Sequence, residues 1–183
     1  MTVLLILLAI IVILAIIVAS SYNKVQKMNN NIDEAESQID VQLQRRADLI
    51  PNLVATVKGY AKFEDKTLKD VISQRNSIVS ADTIGEKLEA DKKMTSQLSG
   101  IFAISEQYPD LKANQSFLNL QEELTATENK VGYSRQLYNS CVNTYNSAIT
   151  TIPTNIIASL FHFNKREYLK ADSEARKAVK VEF

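Results

Sequence analysis

Few side chains in this sequence are of types that do chemistry, and their spacing argues against most reactions. The single histidine, His162, has Ser159 three residues before it. The Glu-x-x-His pair with which helical bundles hold two metal ions is therefore missing. His162 sits in Phe161-His162-Phe163, a setting for an interface or end-of-bundle residue, and no nucleophile is paired with it as a base. The single cysteine, Cys141, forms neither an internal disulfide nor a cysteine-based metal site and reads as a small core residue. No Gly-rich phosphate loop occurs. No catalytic, cofactor-binding or metal-binding residue is assigned, and the chain reads as a non-enzyme.

Two polar groupings remain. Arg45 and Arg46 stand beside Asp40, Asp48 and Asn52. Adjacent arginines suit phosphate or lipid head groups, but pairing with carboxylates such as Glu122, Glu123 or Glu128 is the preferred reading. The second grouping is Tyr138-Asn139 and Tyr145-Asn146, one heptad apart. Buried tyrosine hydroxyls need partners, so these four residues, with Arg45 and Arg46, are expected to form a polar interlock that fixes helix register. A third grouping is apolar. After Pro153 come Ile156, Ile157, Leu160, Phe161 and Phe163, followed by Lys165 and Arg166. An apolar-aromatic stretch with adjacent bases suits a membrane interface; a neighbouring subunit or the end of the bundle are the other surfaces it could cover.

The elements that must position these groups are helical. The chain has 183 residues, enough for one domain, with only 4 Gly and 3 Pro, and 21 basic against 21 acidic side chains. Scarce turn residues disfavour all-β folds. Zero net charge argues against nucleic acid as a partner. The unbroken apolar run Val3–Ala19, with its flanks about 30 Å long as a helix, is long enough to cross a bilayer. All charges lie in the remainder, which is about 40% apolar. Residues 1–21 are thus expected to be an uncleaved transmembrane anchor. Lys24 and Lys27 follow it and no basic side chain precedes it, which places the N-terminus outside and the main domain in the cytoplasm, a single-pass arrangement in the cell membrane.

Residues 22–163 read as a four-helix bundle. Val25, Met28, Ile32, Ala35, Ile39 and Leu43 form a helical stripe, and Thr83 with Glu86 has capping-box spacing. Tyr108-Pro109-Asp110 breaks the third helix. In the fourth, Phe117, Leu120, Leu124, Thr127, Val131, Ser134, Tyr138, Cys141, Tyr145, Ala148 and Ile152 alternate spacings of 3 and 4, a seam about 60 Å long. Pro51 decides the topology. A kinked continuous helix is possible there, but a reversal between Leu49 and Asn52 gives helix lengths that pack up-down-up-down, with Pro51 in the first turn of the second helix. Residues 164–183 carry mixed charge and are expected to form a helical tail docked by Tyr168 and Leu169.

Three blocks resemble the LemA family: Gln38 to Glu64 (QIDVQLQRRADLIPNLVATVKGYAKFE), Tyr108 to Asn129, and Tyr138-Asn139, Tyr145-Asn146 with Ile152 to Phe163. The N-terminal anchor is also of the family type. Glu36 and Ala47 stand where the family often has aromatics. The resemblance implies a membrane-anchored antiparallel four-helix bundle and no settled activity. The expected fold is all-α, an N-terminal transmembrane helix followed by that bundle. The expected role is structural or scaffolding, through homo-oligomerisation beside membrane lipid, or else that of an accessory subunit bound to another membrane protein.

Overall fold

The computed structural model describes residues 1–59 and 65–170. Its helices are α1 (Thr2–Lys58), α2 (Asp65–Ser80), α3 (Ile84–Ser105), α4 (Pro109–Lys112), α5 (Gln115–Thr150) and α6 (Thr154–Leu160). The chain divides into two compact units, Glu36–Arg135 and Met1–Ala35 with everything from Gln136 onward.

α1 corrects the expected reversal at Leu49–Asn52. It runs unbroken for 57 residues with Pro51 inside it, about 85 Å at the helical rise. Magnitudes explain why. An interior proline costs about 3 kcal/mol. Beyond it, Leu53, Val54 and Val57 are all buried, and each contributes about 1.5–3 kcal/mol. Their spacing continues the stripe of Val25, Ile32, Ala35, Ile39 and Leu43 on the same helix. The helix instead stops at Gly59, whose N–H bonds the Thr56 carbonyl at 3.3 Å.

In the Glu36–Arg135 unit, side-chain pairs set the directions. Asp40 pairs with Lys87 and Arg46 with Asp91, so α1 and α3 climb in parallel. Arg46 also meets Glu128, and Phe102 meets Phe117 edge-on at 6.0 Å, so α5 runs antiparallel to α3. Arg75 of α2 reaches Asp48 at 3.9 Å. The order is up-down-up-down, with α2 making the first return. Thr83 caps α3 with the full capping box: its hydroxyl accepts from the Glu86 N–H and its own N–H donates to the Glu86 carboxylate. Pro109 opens α4, and Asn114 caps α5 by accepting the Phe117 N–H at 3.0 Å.

The α5 seam drifts from its expected track. Phe117, Leu124, Thr127, Val131, Ser134, Tyr138 and Tyr145 are buried as the heptad requires. Lower down, Val142 and Ile149 take the core in place of Cys141 and Ala148, and Ile152 is exposed. A straight helix has 3.6 residues per turn, so a 3.5-residue pattern falls behind by about 20° per heptad. After three heptads the next column faces inward.

The other unit holds the lower parts of α1 and α5, α6 and an extended C-terminal segment. Thr2 to Ile17 of α1 are exposed along their length, and this is the one stretch among the described residues long and apolar enough to cross a membrane. Residues 164–170 are not helical, which departs from the expected tail; 171–183 lie outside the described residues. Segment 164–170 gives its backbone polar groups to α5 side chains, and a helix would withdraw those groups into its own ladder.

Because Pro51 sits within a helix, Pro51→Ala restores a backbone hydrogen bond. It is expected to stabilise the protein by about 1–3 kcal/mol in detergent-solubilised thermal unfolding followed by circular dichroism. A reversal at that proline would instead make the change neutral or harmful.

Candidate functional site

The two adjacent arginines part company on α1. One residue of helix turns the side chain by about 100°, so Arg46 points into the core while Arg45 stays exposed. Arg46 is 1% exposed. Its Nη1 donates to Asp91 Oδ1 at 2.7 Å and its Nη2 to Glu128 Oε2 at 3.1 Å. Among the described residues its Nε has no partner. Burial raises the Asp91 carboxyl above its usual range, although the Arg46 charge and hydrogen bond pull the other way. Two charges and a half-exposed third thus join α1, α3 and α5. Of the three carboxylates expected near this pair, only Glu128 meets it; Glu122 and Glu123 face solvent.

The Tyr-Asn pairs fasten the C-terminal segment to α5. The Tyr145 hydroxyl donates to the Asn164 carbonyl at 2.9 Å, and the Tyr138 hydroxyl to the Glu167 carbonyl at 3.2 Å. Asn146 accepts the Arg166 N–H and donates to the Arg166 carbonyl, both at 2.9 Å. Asn139 does the same to Leu169, at 2.9 and 3.0 Å. Each asparagine amide thus mimics a strand neighbour for one residue. The register has a simple origin. Seven residues of helix rise about 10.5 Å, and three residues of extended chain span about 10 Å. One heptad on α5 therefore matches one triplet of the strap, which runs antiparallel to it. Burial raises the Tyr145 phenol above its ordinary value, against the pull of Arg166, so the hydroxyl stays a donor.

Side chains add to this backbone ladder. The Arg166 guanidinium bonds Asp33 of α1 at 2.6 Å, and the Tyr168 hydroxyl bonds Asn143 at 3.2 Å. Sequence reasoning placed the four Tyr and Asn residues in an interlock between helices and missed the strap. The signal was present: asparagines beside the seam, repeated at a heptad, offer paired donors and acceptors that a neighbouring helix, with its own backbone satisfied, does not need.

The apolar group splits by face. Ile157 and Ala158 of α6 are buried, Ile156, Leu160 and Phe161 are exposed, and Phe163 is half-buried. Tyr22 of α1 packs against Phe161 at 4.8 Å and Phe163 at 5.6 Å between ring centres. His162 adopts φ 58°, and around it the Phe163 N–H bonds the Ala158 carbonyl at 2.9 Å and the His162 N–H that of Ser159 at 3.4 Å. This is a Schellman turn that ends α6, with histidine where glycine is usual. Cys141 is half-buried. No cluster of metal-ligating side chains occurs among the described residues.

One unit is helical and built around the Arg46 cluster; the other carries the long apolar N-terminal run and a C-terminal segment strapped along α5. The LemA family model matches residues 35–183. The chain is 28% identical to Protein LemA of Metamycoplasma hominis, over 74% of this chain and 63% of that protein. It is 26% identical to Magnetosome protein MamQ 2 of Paramagnetospirillum magneticum, over 81% of this chain and 64% of the relative. The Magnetosome protein MamQ of Magnetospirillum gryphiswaldense is 25% identical, over 80% and 64%. The chain thus spans less than two thirds of the length of these curated relatives. It belongs to the LemA family.

Two predictions come from these sites. Arg46→Met strands Asp91 in the core and is expected to cost about 3–5 kcal/mol, whereas Arg46→Met with Asp91→Leu costs clearly less. The loss in the single variant shrinks on acidification. Without Arg46 the folded-state pKa of Asp91 rises further, and a raised carboxyl gives stability at low pH that is lost as pH climbs through that pKa. Chemical denaturation across pH reads both effects. For the strap, Asn139→Ala is expected to speed amide exchange at Leu169 more than at Arg166, and Asn146→Ala the reverse, each by about 1–2 kcal/mol of lost protection.

Proposed function

We propose that this protein is a non-catalytic scaffold of the membrane, anchored by residues 1–21 and working through homo-oligomerisation, with its bundle in the cytoplasm. The observation that carries this reading is the continuity of α1. The apolar run Val3–Ala19 and the core stripe Val25–Val57 belong to one helix, Thr2–Lys58. The anchor and the first core-forming helix thus share one continuous backbone. Packing of anchors against one another in the membrane brings like copies together. Membrane helices associate through close side-chain packing, and a charge-free run leaves that face open to like neighbours. Lys24 and Lys27 support the cytoplasmic orientation.

The test is single-cysteine scanning of Leu4 to Ile17 in a Cys141→Ser background, with oxidative cross-linking in native membranes and sizing after mild solubilisation. Cross-links recurring every 3 to 4 positions and a mass of several copies are expected. A monomer that cross-links nowhere and co-purifies in fixed ratio with a different membrane protein would replace self-assembly by an accessory-subunit role. Impermeant labelling of Gly85→Cys in intact cells reads the orientation, and labelling from outside would reverse it.

A further inference from the structure

Two uncharged stretches of the sequence converge in the structure. α1 carries no Asp, Glu, Lys or Arg from Thr2 to Asn23, and Lys24 is its first charged side chain. The chain is again free of these residues from Gln136 to Asn164, between Arg135 and Lys165. The contact of Tyr22 with Phe161 and Phe163 joins them, at the point where α1 leaves its apolar run. Burial on α1 starts at Val18, inside that run.

The outward face of this region is apolar. Ile152 is 82% exposed, Ile156 65%, Leu160 64% and Phe161 44%, while Ile157 and Ala158 hold α6 to the protein. Ile152, Ile156 and Leu160 recur at intervals of four. In water such side chains leave apolar area unburied, which is unfavourable.

We propose that α6 is a second membrane contact, a foot lying in the bilayer interface beside the anchor. Ile152, Ile156, Leu160 and Phe161 sit at the boundary of acyl chains and head groups, with Lys24, Lys27 and Lys165 at the level of the lipid phosphates. The inference rests on α1 spanning the membrane. The absence of charge selects lipid over a protein surface as the occupant. A protein interface keeps a polar, charged rim, whereas charged side chains are expensive inside a bilayer. Here the charge is missing from α5 beyond Arg135, from α6 and from the turn after it, and returns at Lys165 once the strap starts back along α5. Exposed apolar side chains with flanking bases are the composition of interfacial helices.

The test uses the full-length protein with Cys141→Ser, reconstituted in phosphatidylcholine–phosphatidylglycerol vesicles. Single spin labels are placed at Ile156→Cys, Leu160→Cys, Ile10→Cys in the anchor and Ser99→Cys on the bundle surface, all at exposed positions. Collision rates with lipid-soluble oxygen and a water-soluble nickel chelate are compared. The oxygen-to-nickel ratio at 156 and 160 is expected to be severalfold above that at 99 and below that at 10. A ratio at 156 and 160 equal to that at 99, with 10 in lipid, overturns the foot and leaves the anchor. A ratio at 10 equal to that at 99 overturns the anchor and the foot with it. Shielding of 156 and 160 from both reagents means a protein neighbour and also overturns the foot.

Discussion

Burial of Leu53, Val54 and Val57 beyond Pro51 keeps α1 a single helix, and the rest of the architecture depends on it. Three apolar side chains in the core outweigh one missing backbone hydrogen bond. The first reversal then falls past Lys58, so the returning helix α2 has only 16 residues. α3, with 22 residues, is also much shorter than the 36 of α5. In the unit formed by Met1–Ala35 and the chain from Gln136 onward, the strap lies along α5. Its backbone groups are satisfied by tyrosine hydroxyls and asparagine amides, because no helix or sheet is there to satisfy them.

Most of the fold was legible from apolar periodicity. The α1 stripe, the cap at Thr83, the break at Pro109 and the upper α5 seam follow from rules that act within a few residues. The errors have physical causes of longer range. A proline is locally a stop signal, and only the sum of burial further along overrides it. A heptad and a 3.6-residue helix agree over three heptads and then diverge, so Cys141 and Ala148 lost their core places to Val142 and Ile149. The strap was illegible in its own residues, since Asn164 to Leu169 shows no pattern, and its signal lay only in the asparagines of α5. Its conformation is set by residues about 20 to 30 positions away on α5. At the candidate sites, neighbouring Arg45 and Arg46 looked alike in sequence, and the helical rotation between them divided their fates.

The Arg46 cluster illustrates what buried charge does in such a bundle. Placing a guanidinium and a carboxylate at 2.7 Å in the core costs desolvation on both, as the raised Asp91 shows. The pair adds little net stability over a packed apolar pair. It does penalise any register in which Arg46 misses its partners on α3 and α5. Long helices with repetitive apolar stripes can slide by a turn at small cost, and one buried ion pair makes each slid state leave a charge unpaired.

The heptad-to-triplet match between α5 and the strap makes the attachment indifferent to most side chains of the strap, since the rungs grip only its main chain. Proline is barred from positions 166 and 169, whose N–H groups are used, and the Arg166 side chain is held separately by Asp33. Length is constrained in a different way. Loss of three strap residues moves the tail by one whole rung and lets the ladder re-form, whereas loss of one or two leaves every rung out of phase. Fastening of this kind tolerates drift in composition while counting residues in threes.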